Sequence, residues 1–346
     1  MAQFGERGFD YAANGHCDMA VWASARNAIV VNPNRHLARV AAKEHRVQMS
    51  IQDRGASTAE YLRALRPQQW LKNLLLFVPL LAAHEFYQPA LWGKVLLGFL
   101  AFCCCASSGY LINDLFDLTA DRRHPKKRLR AFAAGRLPFS YALLMVPGLM
   151  VIGCVVGGFV SGFFLRILLL YYVLTVVYSL FVKRIILLDV LVLAGLYALR
   201  VIAGGAAVLI WPSEWLLAFT TFFFVSLALL KRYGELVVMR EIEGKRATAR
   251  GYRLADTELL ASMGIVSGYL AVVVLALDIT SGKMNALYTR PELMWFLCPL
   301  LLYWIGHLWL VAHRGEMHDD PIVFALQNRK SRISILLMVG TALLAI

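Results

Sequence analysis

Residues 113–135 read NDLFDLTADRRHPKKRLRAFAAG, in which an acidic stretch is followed directly by a basic one. On a helix, residues three or four positions apart share a face, so Asp114, Asp117 and Asp121 would form one stripe, with Asn113 one turn before Asp117. Three carboxylates on one face repel each other unless a cation holds them, and Mg²⁺ prefers oxygen ligands of this kind. We therefore predict that these four residues bind Mg²⁺ and that the three aspartates are catalytic; a solvated helix end is the alternative.

The basic run Arg122–Arg130 predicts a phosphate-binding segment. Pro125 should end the helix, because proline lacks the amide hydrogen and clashes with the preceding turn. Lys127, Arg128 and Arg130 are candidate ligands, since lysine and arginine bind phosphate oxygens and arginine can do so with two hydrogen bonds. A membrane-topology signal would also explain such bases. The acidic stripe and the basic run together favour a metal-bridged diphosphate.

The whole chain has the composition of a membrane protein. Its 346 residues are 59% hydrophobic and 16% charged, against about 45–50% and about 25% in soluble domains. This excludes a disordered chain, a collagen and a disulfide-rich mini-protein. A spanning helix needs about 20 mostly apolar residues. Nine segments are candidates, of which the last is short, and they lie at 70–88, 92–112, 140–160, 163–182, 185–209, 214–230, 260–278, 292–312 and 333–346.

The distribution of basic residues predicts the orientation of these spans. With the N-terminus in the cytoplasm, the inner segments hold 20 Lys and Arg and the outer ones only three. Such a split follows the positive-inside rule. We predict an all-α bundle of nine helices, N-terminus in and C-terminus out, in the plasma membrane. Much of the net charge of +13 then reflects topology, and no nucleic-acid partner is expected.

Further polar residues at or inside the spans are candidate substrate ligands. The alternative for the bases is that they reach to lipid headgroups. Asp189 and Arg200 are eleven residues apart in the fifth span, so they share a face about 16 Å apart, and each needs a partner from another helix or a substrate between them. The other candidates are Lys72, Asn73, Tyr178, Lys183, Arg184, Lys231, Arg232 and Glu235.

The run from Asn113 to Gly135 resembles the first aspartate-rich motif of the UbiA superfamily of intramembrane prenyltransferases. This resemblance implies nine helices around a central cavity, a bound Mg²⁺-diphosphate, and transfer of a group between a polyprenyl substrate and an acceptor. Aromatic-ring prenyltransferases of the superfamily carry a second D-x-x-x-D motif in the loop that corresponds to 231–257. This chain has no such motif there.

The patterns R-P-x-x-W-x-K-N at 66–73 and K-R-x-G-E-L at 231–236 resemble instead the decaprenyl-phosphate phosphoribosyltransferase branch. The resemblance implies a phosphoribosyl diphosphate donor, a polyprenyl phosphate acceptor, contact with membrane lipids and an active site facing the cytoplasm. An oligomer is compatible with it. Two alternatives stay open: an aromatic-acceptor prenyltransferase of the 4-hydroxybenzoate type that uses a polyprenyl diphosphate, and a non-catalytic lipid or ion transporter.

The first 60 residues are polar and mixed in charge, and they lack the pattern of a signal peptide. Phe9–Asp18 resembles the end of a haloacid-dehalogenase-type phosphatase, with Asp18 as its downstream aspartate. The nucleophilic D-x-D of that family is absent, so the resemblance implies an inactive remnant. A solvated amphipathic extension is the alternative. We predict a cytoplasmic N-terminal extension at 1–60 and a transferase domain at 61–346.

Overall fold

The computed structural model describes residues 5–44, 47–51, 57–123, 127–243, 248–249, 251–317 and 320–346. Its internal contacts divide the chain into two compact units, Met1–Tyr61 and Leu62–Ile346. Each unit has its own hydrophobic core.

The first unit is an α/β fold. Strands β1 (Asp10–Ala13), β2 (Asn27–Val31) and β3 (Val47–Ile51) form a parallel sheet in the order β1-β2-β3. Helices α1 (Met19–Ser24) and α2 (Arg35–Glu44) lie in the connections, as parallel strands require a crossover. The all-α prediction is therefore wrong for this unit. The alternation of buried and half-buried residues along β2 gives the sheet one face on the core, which consists of Trp22, Ala28, Val30, Leu37 and Ala41.

The second unit is a bundle of helices. Helix α3 (Thr58–Ala64) includes the last residues of the first unit and the first residues of the second. The other α-helices of the second unit are α4 (Val78–Ala82), α5 (Pro89–Phe116), α6 (Leu118–Arg123), α7 (Phe139–Val160), α8 (Gly162–Leu180), α9 (Leu188–Val208), α10 (Glu214–Glu243), α11 (Thr257–Ile279), α12 (Gly282–Leu287), α13 (Leu297–His313), α14 (Pro321–Gln327) and α15 (Arg329–Ala345). The 3₁₀ helices of this unit lie at Pro67–Phe77, Lys127–Leu129, Val182–Arg184, Leu254–Asp256 and Pro291–Phe296, and the first unit has one at His16–Asp18. A two-stranded antiparallel ribbon pairs β4 (Thr248–Ala249) with β5 (Tyr252–Arg253).

Seven of the described helical segments are long and apolar enough to cross a membrane. They correspond to the second to eighth predicted spans. The first predicted span, 70–88, instead folds as the 3₁₀ helix Pro67–Phe77 followed by α4, and the last is the 17-residue α15. The fold is thus mostly helical and suited to a membrane, while the count of nine spans and the orientation stay predictions.

The 3₁₀ helix Pro67–Phe77 packs tightly against α9. A Cβ atom at Gly204 would overlap the backbone of Leu76, so only glycine lets the two segments approach this closely. This contact sets Lys72 and Asn73 beside the polar residues of α9.

Candidate active site

The predicted aspartate stripe spans the junction between α5 and α6. α5 ends at Phe116, Asp117 is its C-cap residue, and α6 begins at Leu118. The amide of Asp117 donates to the Asn113 carbonyl at 2.9 Å, and the amide of Asp121 donates to the Asp117 carbonyl at 2.7 Å. Helical spacing therefore continues through the junction, as predicted. Pro125, which was predicted to end the helix, lies outside the described residues.

Two of the aspartates share one arginine. Asp114 and Asp121 are 5% and 3% exposed. Nη1 of Arg130 donates to Oδ1 of Asp114 at 3.2 Å and to Oδ2 of Asp121 at 2.6 Å. Arg66, whose backbone is left-handed with φ 54° directly before Pro67, also forms an ion pair with Asp114. The two carboxylates are thus brought together around a cationic group.

The third aspartate turns to a different base. Nζ of Lys183 lies 2.6 Å from Oδ1 of Asp117 and 3.1 Å from Oδ1 of Asn113. Lys183 is buried in the short 3₁₀ helix after α8, so its ammonium needs these oxygens as partners. The stripe therefore divides into two groups, one paired with Arg130 and Arg66 and the other with Lys183.

The donor set of the stripe fits a magnesium ion, although its present grouping is not that of a metal site. Three carboxylates and an amide oxygen suit a hard cation. Within the described part of the chain, however, no three acidic, histidine or cysteine side chains are grouped as metal ligands. Arg130 and Lys183 provide the positive charge beside these oxygens. Binding a divalent cation would require these bases to exchange partners with it.

A second cluster of charges is centred on Asp320, a residue that the sequence analysis did not single out. Nζ of Lys72 and Nζ of Lys231 lie 2.6 and 2.9 Å from the same oxygen, Oδ2 of Asp320. Burial alone would raise the pKa of Asp320, but the ammonium groups of Lys231 and Lys72 outweigh it and hold that pKa well below its usual value. The cluster connects the Pro67–Phe77 helix, α10 and the start of α14.

Arg200 lies beside this cluster, buried in α9. Its guanidinium donates from Nε to Oδ1 of Asn73 at 2.9 Å and from Nη2 to the hydroxyl of Tyr171 at 2.8 Å. It lies over the rings of Tyr171 and Tyr197, and Nζ of Lys72 is 5.5 Å from the centre of the Tyr197 ring. Cations near aromatic faces gain electrostatic stabilisation.

Asp189 is fully buried and has partners from two other elements. Nε of Arg232 donates to its Oδ2 at 2.5 Å, and the hydroxyl of Tyr252 donates to its Oδ1 at 2.6 Å. Arg232 also donates to Glu235 at 2.8 Å and to the hydroxyl of Tyr178 at 2.7 Å. Asp189 and Arg200 thus each find a partner outside α9, as the sequence led us to expect.

The remaining candidates are at the surface of the site region. Arg128 and Arg184 have exposed side chains, and Lys127 is half-buried. Their roles in substrate binding stay predictions. The sequence analysis missed Arg66 and Asp320 as site residues. A basic residue just before Pro67 and an aspartate before Pro321 were visible, but nothing in their local sequence gives their distant partners.

The family model of the UbiA prenyltransferases matches residues 74–331. An uncharacterized protein of Sinorhizobium fredii is 35% identical over 332 residues, which are 94% of this chain and 63% of that protein, so this chain spans less than two thirds of it. The nodulation protein NoeC of Azorhizobium caulinodans is 36% identical over 282 residues, which are 80% of this chain and 90% of that protein. Decaprenyl-phosphate phosphoribosyltransferase of Mycolicibacterium smegmatis is 31% identical over 289 residues, which are 81% of this chain and 90% of that protein.

Solved structures share the fold. A UbiA homolog from Archaeoglobus fulgidus bound to GPP and Mg²⁺ superposes with a TM-score of 0.62 at 16% identity, covering 82% of this chain and 99% of that one. The structure of digeranylgeranylglyceryl phosphate synthase superposes with a TM-score of 0.57 at 18% identity, covering 83% of this chain and 96% of that one.

Proposed function

This chain belongs to the UbiA prenyltransferase family, and from that premise we propose that it transfers the 5-phosphoribosyl group of phosphoribosyl diphosphate to a polyprenyl phosphate. The product is a polyprenyl-phosphoryl-5-phosphoribose, a lipid-linked sugar precursor for the cell envelope. The likeness to a relative named decaprenyl-phosphate phosphoribosyltransferase supports this substrate pair. That the chain is a transferase follows from the family itself.

One observation carries the proposal: each aspartate of the stripe forms an ion pair with a basic side chain that lies outside the stripe. Arg130 contacts Asp114 and Asp121, and Lys183 contacts Asp117. A site that alternates carboxylates with bases offers ligands both for a divalent cation and for phosphate oxygens. This is the donor set that a metal-bridged diphosphate needs.

Asn113, Asp114, Asp117 and Asp121 would hold Mg²⁺, which supplies positive charge to the departing diphosphate. Arg66, Arg130 and Lys183 then bind phosphate oxygens of the donor and stabilise the charge that develops there. After they have exchanged partners on binding, these bases hold the donor in the orientation that the reaction needs. The site thus acts by charge and position.

In the reaction, an oxygen of the polyprenyl phosphate forms a bond to the anomeric carbon of the ribose. The bond from that carbon to the diphosphate breaks, and the diphosphate leaves with the electron pair. A phosphate monoester is already ionised at pH 7, with a second pKa of about 6 in comparable esters. A dedicated general base is therefore not needed, and we assign that role to no residue.

The aromatic-acceptor reaction is the second candidate. The solved relatives bound to GPP or DMAPP together with Mg²⁺ favour a prenyl diphosphate as a family substrate. The sequence of residues 231–257 argues against this reaction, because it has no second D-x-x-x-D motif. A transporter without chemistry is the candidate from another class, and it predicts no covalent product with either donor.

The test uses the purified full chain in detergent or nanodiscs. It is incubated with Mg²⁺, polyprenyl phosphate and radiolabelled phosphoribosyl diphosphate, and label is measured in the lipid phase. We expect label to enter the lipid and to require Mg²⁺. Product from a prenyl diphosphate and 4-hydroxybenzoate, with no labelled lipid, would overturn the proposal, as would the absence of any product.

A further inference from the structure

Two bases lie over the ring of Tyr197, and a third adjoins them through Asp320. Lys72 and Arg200 lie 5.5 and 5.3 Å from the centre of this ring, and Lys231 shares its carboxylate partner with Lys72. Lys72 and Arg200 are 6% and 4% exposed. The bases come from the Pro67–Phe77 helix, α9 and α10, so the bundle itself holds them together.

This cluster carries more positive than negative charge. Among the residues that the structure describes, Asp320 is the acid paired with Lys72 and Lys231, whereas Arg200 donates to the neutral side chains of Asn73 and Tyr171. Buried charges are costly unless paired, and inside a membrane protein such groups usually serve function. The excess of two positive charges, carried by the buried Lys72 and Arg200 and by Lys231, whose side chain is 26% exposed, therefore creates a site for a dianion.

The stripe differs from this cluster in its charge balance. Asp114, Asp117 and Asp121 face Arg66, Arg130 and Lys183, so acids and bases are equal in number there. An added diphosphate at the stripe requires an added cation. At the Tyr197 ring the bases already exceed the acid, and an anion can bind without a metal.

We propose that Lys72, Lys231 and Arg200 form a metal-free subsite for a phosphate monoester, and that Asp320 occupies it until the ligand arrives. This inference rests on the proposed function, in which both the polyprenyl phosphate and the 5-phosphate of the donor have this chemistry. Two ammonium groups meet at one oxygen of Asp320, the arrangement that a phosphate oxygen would take in its place. The ring of Tyr197 lies beside Lys72 and Arg200 in this subsite.

Binding is measured with the full chain in nanodiscs of neutral lipid, in the presence of EDTA. Farnesyl monophosphate represents the polyprenyl phosphate, and ribose 5-phosphate represents the donor's 5-phosphate. We expect one of the two to bind without metal, and which one binds assigns the subsite to the acceptor or to the donor. Failure of both to bind in EDTA would overturn the proposal.

Substitutions locate the binding. Lys231→Met removes a charge-assisted hydrogen bond and should weaken binding about tenfold or more. Asp320→Asn removes the competing charge and should tighten it. The control is Lys94→Met, an exposed lysine on α5, which should leave binding unchanged. If Lys231→Met does not fold, Lys72→Met replaces it. Unchanged binding in the lysine variants, or weaker binding in Asp320→Asn, contradicts the proposal.

The outcomes separate this inference from the transferase assay. Binding of a phosphate monoester in EDTA that depends on Lys231, without any transfer of label to lipid, would leave the subsite standing and remove the proposed reaction. Transfer to lipid together with no metal-free binding would do the reverse.

Discussion

At the scale of single residues, the aspartates of the bundle interior obtain their stability from bases on other elements. Asp114, Asp121 and Asp189 are buried, and each accepts hydrogen bonds from an arginine. Breaking a buried pair leaves an uncompensated charge, which costs about 3–5 kcal/mol, whereas exchanging the partner for another cation does not. Such ion pairs can therefore be present in the free protein and exchange partners when substrate and metal bind.

Asp117 is the residue at which this exchange can be tested. Asp117→Asn keeps the size of the side chain but removes the charge that Lys183 and a metal would bind. We expect phosphoribosyl transfer to fall by at least about 100-fold. The residual contact of Lys183 with Asn113 should keep the chain folded, which thermal unfolding in detergent checks. Wild-type activity in this variant would remove Asp117 from the metal site.

Tyr252 gives a prediction about stability and pH. Its hydroxyl donates to Asp189 and accepts from the amide of Leu187 at 2.8 Å. Tyr252→Phe leaves both groups without this partner and should lower the free energy of unfolding by about 1–3 kcal/mol at pH 7. The exposed Tyr87 supplies the control, since Tyr87→Phe should change nothing.

The same hydroxyl should make stability fall at high pH. Burial and the hydrogen bond to Asp189 raise the pKa of Tyr252, so the folded chain holds the phenolic proton more tightly than the unfolded chain. This contribution is fully present below about pH 10 and is lost as the pH rises further. From pH 8 upwards, the thermal unfolding temperature should decline less steeply with pH in Tyr252→Phe than in the wild type. An equal decline in both proteins would contradict this.

The helical spacing of the candidate site residues could be predicted from the sequence, but their pairing could not. The spacing of Asp114, Asp117 and Asp121 predicted a shared stripe because helical periodicity is local. Asp320 meets Lys72 across 248 positions of the chain, and no local pattern encodes such a contact. Long-range partners depend on how helices pack, which hydropathy does not specify.

At the scale of elements, hydropathy located the long spans but not the geometry of the first one. Residues 70–88 are apolar enough for a continuous helix, yet a 3₁₀ helix ends at Phe77 and α4 follows. Pro67 and Pro79 lie at the first turns of these two segments, where proline is tolerated. The 3₁₀ helix itself packs on α9, and that contact is tertiary.

Gly204 tests this contact. A methyl group there would collide with backbone atoms of Leu76, which cannot move aside as a flexible side chain does. Gly204→Ala should therefore cost about 1–3 kcal/mol of stability and displace the neighbouring Lys72 and Asn73. Gly195→Ala is the matched control on the same helix, because a Cβ there meets no atom within 4 Å. Thermal unfolding and activity of the two variants provide the comparison.

At the scale of the whole molecule, composition predicted the bundle and hid the first unit. The strands of that unit are only four or five residues long, so a search for apolar segments of about 20 residues does not detect them. An extension of mixed charge was therefore expected where a parallel sheet with its own core is found. The charge of the bundle also indicated where its polar clusters lie, because the basic residues form ion pairs with the aspartates.

The orientation of the bundle is the prediction that belongs to this scale. The positive-inside rule puts residues 113–139 in the cytoplasm and the connection between α4 and α5 outside. In a Cys17→Ser background, which removes the exposed native cysteine, Tyr87→Cys should react with a membrane-impermeant maleimide in intact cells. Arg128→Cys should react only in inverted vesicles. Labelling of both sites from the same side, or in the opposite pattern, would overturn the cytoplasmic assignment of the active site, because Arg128 adjoins Arg130 and hence the aspartate stripe.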